Sequence, residues 1–194
     1  GTPGADPASF DAKTLDGVAE IDFANGPDVS LSTLAGQQIS TAQPGGGPPT
    51  IGDFDNDGFP EIASAGGAAY TVFDLDCKDP MAPGCTAPYV RWTQPSQDAS
   101  SRNTGSSIFD FEGDGEAEAI YADECFLRVY KGSTGEVLYS SFRTSCTWYE
   151  NPVVGDPDND QNTEILVGSN SNCQVVCPAV DPIHRGEICE TGEQ

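Results

Sequence analysis

Three short stretches of this chain repeat one pattern of acids. They are DFDNDGFPE from Asp53 to Glu61, DFEGDGEAE from Asp110 to Glu118, and DPDNDQNTE from Asp156 to Glu164. In each, carboxylates stand at positions 1, 3, 5 and 9. Four like charges on nine residues repel one another unless a counter-ion sits among them. Oxygen donors at this irregular spacing suit Ca²⁺ better than Zn²⁺ or Mg²⁺. Gly58 and Gly115 at position 6 permit the sharp turn such a loop needs. Gln161 holds that position in the third loop and departs from the pattern. The helix–loop–helix calcium motif is excluded, because its bidentate glutamate belongs at position 12, where this chain has Ser64, Tyr121 and Val167.

The loops anchor a longer repeat. Their first acids lie 57 and 46 residues apart, a period that points to propeller blades or a repeat array. Each loop follows a short apolar run and leads at once into another: Glu61–Ala65, Ala117–Ala122 and Glu164–Gly168. Further strand-like runs are Tyr70–Leu75, Tyr89–Trp92, Cys125–Tyr130 and Glu136–Phe142, the last two joined by the turn signal KGSTG. About four strands per repeat are expected, with the third repeat running out after Cys173–Cys177. The CKDPMAPGC segment, Cys77–Cys85, reads as an insert in the first repeat.

The motifs resemble FG-GAP/VCBS repeats, the calcium-binding blades of integrin-alpha-type β-propellers. GDFDNDGFPEIA, DFEGDGEAEAIYA and GDPDNDQNTEILV carry the resemblance, and RVYKGSTGEVLYSS resembles the outer hairpin of such a blade. It covers about Gly45 to Val176. The resemblance implies an all-β fold of four-stranded blades with about three structural Ca²⁺ ions. It assigns Asp53, Asp55, Asp57, Glu61 and the Phe59 carbonyl to the first ion. Asp110, Glu112, Asp114, Glu118 and the Glu116 carbonyl go to the second. Asp156, Asp158, Asp160, Glu164 and the Asn162 carbonyl go to the third. Three blades are expected at about 46–98, 99–150 and 151–194, the last incomplete. Residues 1–45, with strand-like runs at Val18–Phe23 and Val29–Leu34, read as a degenerate blade or closing strand. A closed propeller needs 4–8 blades, so further blades from elsewhere, or self-association, are expected to complete the set.

Charge narrows the partners. The chain has 194 residues with 8 basic and 31 acidic side chains, a net charge of −23. That excludes nucleic acid and disfavours anionic lipid. With 37% hydrophobic residues, whole-chain disorder does not fit. No apolar run reaches the roughly 18 residues of a membrane span. The loops claim 12 of the 31 acids as side-chain ligands, and three divalent ions would bring the charge to −17.

Seven cysteines in an acidic, lysine-poor chain point to an oxidising, extracellular or cell-surface location. Cys77 pairs most simply with Cys85, and Cys125 with Cys146. Cys173, Cys177 and Cys189 contain one pair and one remaining thiol. The chain begins at Gly1 and its sole methionine is Met81, which reads as a processed piece. His184 is the single histidine and lies in a Pro/Arg-rich tail, a poor setting for Ser-His-Asp or Cys-His chemistry. PGGGP, Pro44–Pro48, lacks the lysine of a phosphate loop and reads as a linker. Trp92, Trp148 and Tyr149 are read as blade packing ahead of a sugar- or peptide-binding surface. The expected function is a non-catalytic, extracellular calcium-binding module for adhesion, protein interaction or assembly, with a protein or glycan as partner. The alternatives are a scaffold or appended domain of a polysaccharide-acting enzyme, a lectin, and a subunit of an extracellular polymer.

Overall fold

The computed structural model describes residues 47–66, 68–170 and 174–184, with three strands before them: β1 (Glu20–Asp22), β2 (Ser30–Ser32) and β3 (Gln38–Ser40). The fold is all-β, and the described residues contain no helix. β1, β2 and β3 form an antiparallel three-stranded meander. The first two fall inside the expected runs; β3 lies in a stretch with no strand signal.

Two four-stranded antiparallel meanders follow. The first runs β4 (Thr50–Gly52), β5 (Glu61–Ala65), β6 (Ala69–Phe73), β7 (Val90–Pro95), in that spatial order. The second runs β8 (Ser106–Phe109), β9 (Glu118–Ala122), β10 (Phe126–Tyr130), β11 (Val137–Phe142). Four strands per repeat is thus what the first two repeats contain. Their second strands, β5 and β9, are central and covered on both faces, so EIASA and EAIYA read as near-continuous small and apolar runs. Among the described residues, the third repeat has β12 (Val153–Gly155) and β13 (Glu164–Leu166), an antiparallel pair.

The first strands of the three repeats lie side by side, β4 next to β8 and β8 next to β12. Hydroxyls stitch them together. Thr50 Oγ1 donates to the Ser106 carbonyl at 2.8 Å, and Ser107 Oγ donates to the Pro152 carbonyl. The main core fills the space between the two larger sheets. Tyr70 stacks on Tyr121 with centroids 5.0 Å apart, and Trp92 packs against both Tyr70 and Tyr130. Trp92 is buried, as the packing reading expected, and its Nε1 donates to the Gly132 carbonyl at 2.5 Å. Gly132 and Gly135 explain the KGSTG turn. A Cβ at Gly132 would stand 2.2 Å from the Phe54 and Ala117 carbonyl oxygens. One at Gly135, where φ is +70°, would stand 2.5 Å from the Trp92 ring. The turn therefore closes a hairpin and also receives the tryptophan of the preceding sheet.

Trp148 and Tyr149 correct the packing reading. They are 62% and 67% exposed and meet edge to face at 5.6 Å. The C-terminal segment brings a second correction. Cys77–Cys85 is a disulfide, as expected, with Cα atoms 5.5 Å apart. Cys125, however, pairs with Cys177 across 52 residues, not with Cys146. Cys146 is half of another disulfide, and Cys173 and Cys189 lie outside the described residues. The tail is thus not a self-contained cysteine group. The chain leaves β13, turns back, and packs on the second sheet. Asp181 takes a bidentate bond from Arg128, with Nε to Oδ2 at 2.6 Å and Nη2 to Oδ1 at 3.1 Å, and another from Ser140 Oγ at 2.5 Å. Arg128 also donates Nη1 to Asp123 Oδ2 at 2.5 Å. All three charges are buried. A buried ion network adds little net stability when intact, but losing one partner strands the others.

Candidate metal centres

The three acidic loops fold alike. In each, the position-1 carboxylate folds over the turn and accepts from backbone amides ahead of it. Asp53 accepts from Asp57 N at 3.2 Å and Gly58 N at 3.0 Å. Asp110 accepts from Gly113, Asp114 and Gly115 N at 2.6, 3.1 and 2.8 Å. Asp156 accepts from Asp160 and Gln161 N, both at 3.0 Å. The position-5 carboxylates, Asp57, Asp114 and Asp160, each accept from the amide two residues on, at 2.8, 2.9 and 2.8 Å.

This pattern demands left-handed backbone at positions 4 and 6. Asn56, Gly113 and Asn159 supply it at position 4, with φ of 59°, 71° and 61°. Gly58 and Gly115 supply it at position 6, with φ of 90° and 92°. Gln161 adopts the same conformation, φ 72°, so the third loop keeps the turn despite its side chain. A non-glycine residue there costs about 1 kcal/mol.

The turns gather carboxylates. Ligand oxygens of Asp53, Asp55 and Asp57 lie within 4.8 Å of one another, as do those of Asp110, Glu112 and Glu118, and of Asp156, Asp158 and Glu164. Glu61, Asp114 and Asp160 stand outside these trios. Of the position-7 residues, Phe59 projects its ring into solvent, and Glu116 turns its carboxylate away to Ser133 N and Oγ, at 3.0 and 2.5 Å. Asn162 donates Nδ2 to Asp160 Oδ2 at 2.9 Å. A fourth cluster, Asp74 with Cys77 and Cys85, offers no thiolate, because both sulfurs are in the disulfide.

Position 9 separates the loops. Glu61 is buried and accepts from Phe54 N at 2.7 Å; Glu118 is buried and accepts from Phe111 N at 3.0 Å. In both, the ninth residue grips the amide of the second. The second residue of loop three is Pro157, which has no N–H. Glu164 accordingly has a buried Oε2 with no hydrogen-bond partner among the described residues. The Phe-to-Pro change was readable in the sequence, but its meaning needed the Glu61–Phe54 bond.

Electrostatics follow from this packing. Burial pushes Glu61 up to about 8, against the Phe54 amide and reinforced by Asp55, Asp74 and Asp57. Burial likewise pushes Glu118 up to about 7, with Glu112 adding to it. Glu164 is raised by burial and by Asp158, Asp160 and Asp156. The amides of Gly115, Gly113 and Asp114 hold Asp110 below the usual carboxylate range. Concentrated negative charge with raised carboxyls is a site that gains from a cation. The donors are oxygen only, which fits a hard divalent ion.

Two of the loops touch. Asn56 Nδ2 donates to the Asp114 carbonyl at 2.9 Å, and Ala117 N donates to the Asp53 carbonyl at 3.2 Å. Among the clustered carboxylates, Asp55 meets a base: Arg91 bonds it and Asp74 together. His184 is half-buried, with Nδ1 lacking a hydrogen-bond partner among the described residues.

No protein-family model matches the sequence, and no curated protein matches it. Among solved structures, the chain is similar to the V. cholerae biofilm matrix protein Bap1, at 20% identity and a TM-score of 0.49. The match covers 74% of this chain and 28% of that one, so the chain spans under a third of that protein's length. Among the described residues, no helix is long and apolar enough to cross a membrane.

Proposed function

We propose that this chain is a non-catalytic, calcium-braced adhesion or assembly module of the FG-GAP/VCBS type, its sheets serving as blades of a β-propeller. The observation that carries the reading is the threefold recurrence of one turn geometry. Asp53, Asp55, Asp57 and Glu61 would hold the first ion, Asp110, Glu112, Asp114 and Glu118 the second, and Asp156, Asp158, Asp160 and Glu164 the third. Phe59, Glu116 and Asn162 would add backbone carbonyls. A bound divalent ion supplies positive charge that offsets carboxylate repulsion in the link between the first and second strand of each sheet. The side-by-side packing of β4, β8 and β12 supports a radial arrangement of the sheets. The disulfides support an extracellular setting. The two-stranded third sheet leaves room for strands from elsewhere in a longer ring.

The test is thermal unfolding in millimolar CaCl2 and in EDTA. A higher melting temperature with calcium is expected, reduced in a variant carrying D53N and D110N. Equal melting temperatures with and without calcium would sink the reading.

One observation favours a second reading, direct recognition of a glycan or peptide by the exposed Trp148–Tyr149 pair. Glu150 accepts from Trp148 N and from Ser145 Oγ, which holds the pair in place. Glycan-array binding that disappears in W148A would support it; binding unchanged in W148A would remove it.

A further inference from the structure

Loops one and two carry the same ligand pattern, yet their surroundings differ by one buried cation. The Arg91 guanidinium leaves β7 and lies between three groups. Nε and Nη2 both donate to Asp74 Oδ2, at 3.0 and 2.7 Å. Nη2 also contacts Asp55 Oδ2, the position-3 carboxylate of loop one. Nη1 lies under the disulfide insert, since a Cβ on Gly84 would stand 2.6 Å from it. Arg91 and Asp74 are both buried, so a fork drawn off Asp55 pivots on its two bonds to Asp74 and keeps a carboxylate partner. Against Glu112 and Asp158, the equivalent carboxylates of loops two and three, no basic side chain is in contact among the described residues.

We infer that Arg91 is a built-in competitor for Asp55 that weakens divalent-cation binding at loop one and couples its occupancy to the Cys77–Cys85 insert. The inference rests on the calcium reading above. An arginine is always charged and its planar fork bridges two carboxylates well. A cation entering loop one must share Asp55 with that fork or detach it, and it meets a fixed positive charge in a poorly solvated place. Loop two has no such opponent among the described residues: Lys131 lies 4.0 Å from Glu116 Oε2, but it is partly exposed and faces a side chain outside the ligand set. Detaching Nη2 from Asp55 also moves the group on which Gly84 rests, so the insert senses the ion. The same contact gives loop one a partial counter-ion when no metal is bound, which keeps its carboxylates together.

The amides of Gly58, Gly115 and Gln161 at position 6 report the three loops separately, and that of Gly84 reports the insert. They can be followed by ¹H–¹⁵N correlation spectra of the full chain during a CaCl2 titration. In the wild type, Gly58 is expected to respond at about tenfold more calcium than Gly115, with Gly84 moving together with Gly58. In R91Q the Gly58 midpoint should fall to within about threefold of Gly115, and Gly84 should no longer respond. D74N, which frees Arg91 to lean on Asp55, should move Gly58 the opposite way. If R91Q does not fold, the R91Q/D74N pair removes both buried charges together and should still bring the two midpoints together. Gly58 and Gly115 titrating together in the wild type, or a gap that R91Q and R91Q/D74N leave unchanged, would overturn the role of Arg91 while the calcium reading stands. No response at Gly58, Gly115 or Gln161 would overturn both.

Discussion

Loop one and loop three show how much a shared motif leaves open. Both place carboxylates at positions 1, 3, 5 and 9, and both fold with the same hydrogen bonds from Asp53 and Asp156. Loop one is nonetheless built into the core. Phe54 is fully buried, its amide is held by Glu61, Arg91 faces Asp55, and Asn56 reaches loop two. Loop three begins with Asp156 and Pro157, lacks the amide its glutamate would grip, and sits on a two-stranded sheet whose Val153 and Leu166 are largely exposed. The turn is therefore a local property, whereas its rigidity comes from what surrounds it.

Breaking the anchor of loop one should have the largest effect. Phe54→Ala removes a fully buried ring and should cost about 3–5 kcal/mol in urea unfolding, while Pro157→Ala in loop three should stay within about 1 kcal/mol of the wild type. Equal losses would show that loop three is anchored as firmly as loop one.

The second and third sheets differ in the same sense, because the tail that leaves the third sheet is spent on the second. Asp181→Asn should cost about 3 kcal/mol by leaving Arg128 short of a partner in a buried place. The pH dependence has a definite sign. Burial tends to raise Asp181, but the bonds from Arg128, Ser140 and the Ile183 amide outweigh it and hold the carboxyl below its ordinary value. Its stabilisation is fully present above the ordinary carboxylate pKa. It is lost as pH falls through the lowered native value. Unfolding measured between about pH 5 and about pH 2 should show a shallower acid limb in D181N.

Two substitutions would narrow the gap between the loops. Pro157→Ala returns an amide opposite Glu164 and should raise the calcium affinity of loop three several-fold, or about 1 kcal/mol, read at the Gln161 amide. Gln161→Gly relieves a left-handed side chain and should add about 0.5–1 kcal/mol to stability. No gain from either would mean that the exposed two-stranded sheet, and not the loop chemistry, limits the site.

Much of the first two repeats was legible because their signals are local. A carboxylate that bonds amides three to five residues ahead leaves its spacing in the sequence, and a strand covered on both faces reads as an apolar run. The Cys77–Cys85 bridge was legible for the same reason, being only 8 residues wide. The third repeat was expected to be incomplete, and among the described residues it holds β12 and β13; what its motif did not announce is that the chain after β13 packs on the second sheet. Pairing Cys125 with Cys146 also followed from nearness along the chain, and nearness was the wrong guide.

The sequence by itself determined the succession of about four strands in each of the first two repeats, the three turns and the acidic character of each. Only the tertiary structure decided that Cys125 meets Cys177, that Arg128 meets Asp181 across 53 residues, that Trp92 rests on Gly132 and Gly135, and that Arg91 faces Asp55. The reason is physical. Turn and strand choices are set by backbone sterics and hydrogen bonds within a few residues. A long-range pair is chosen by the packing of whole sheets, and neither partner carries a mark of the other in its own neighbourhood.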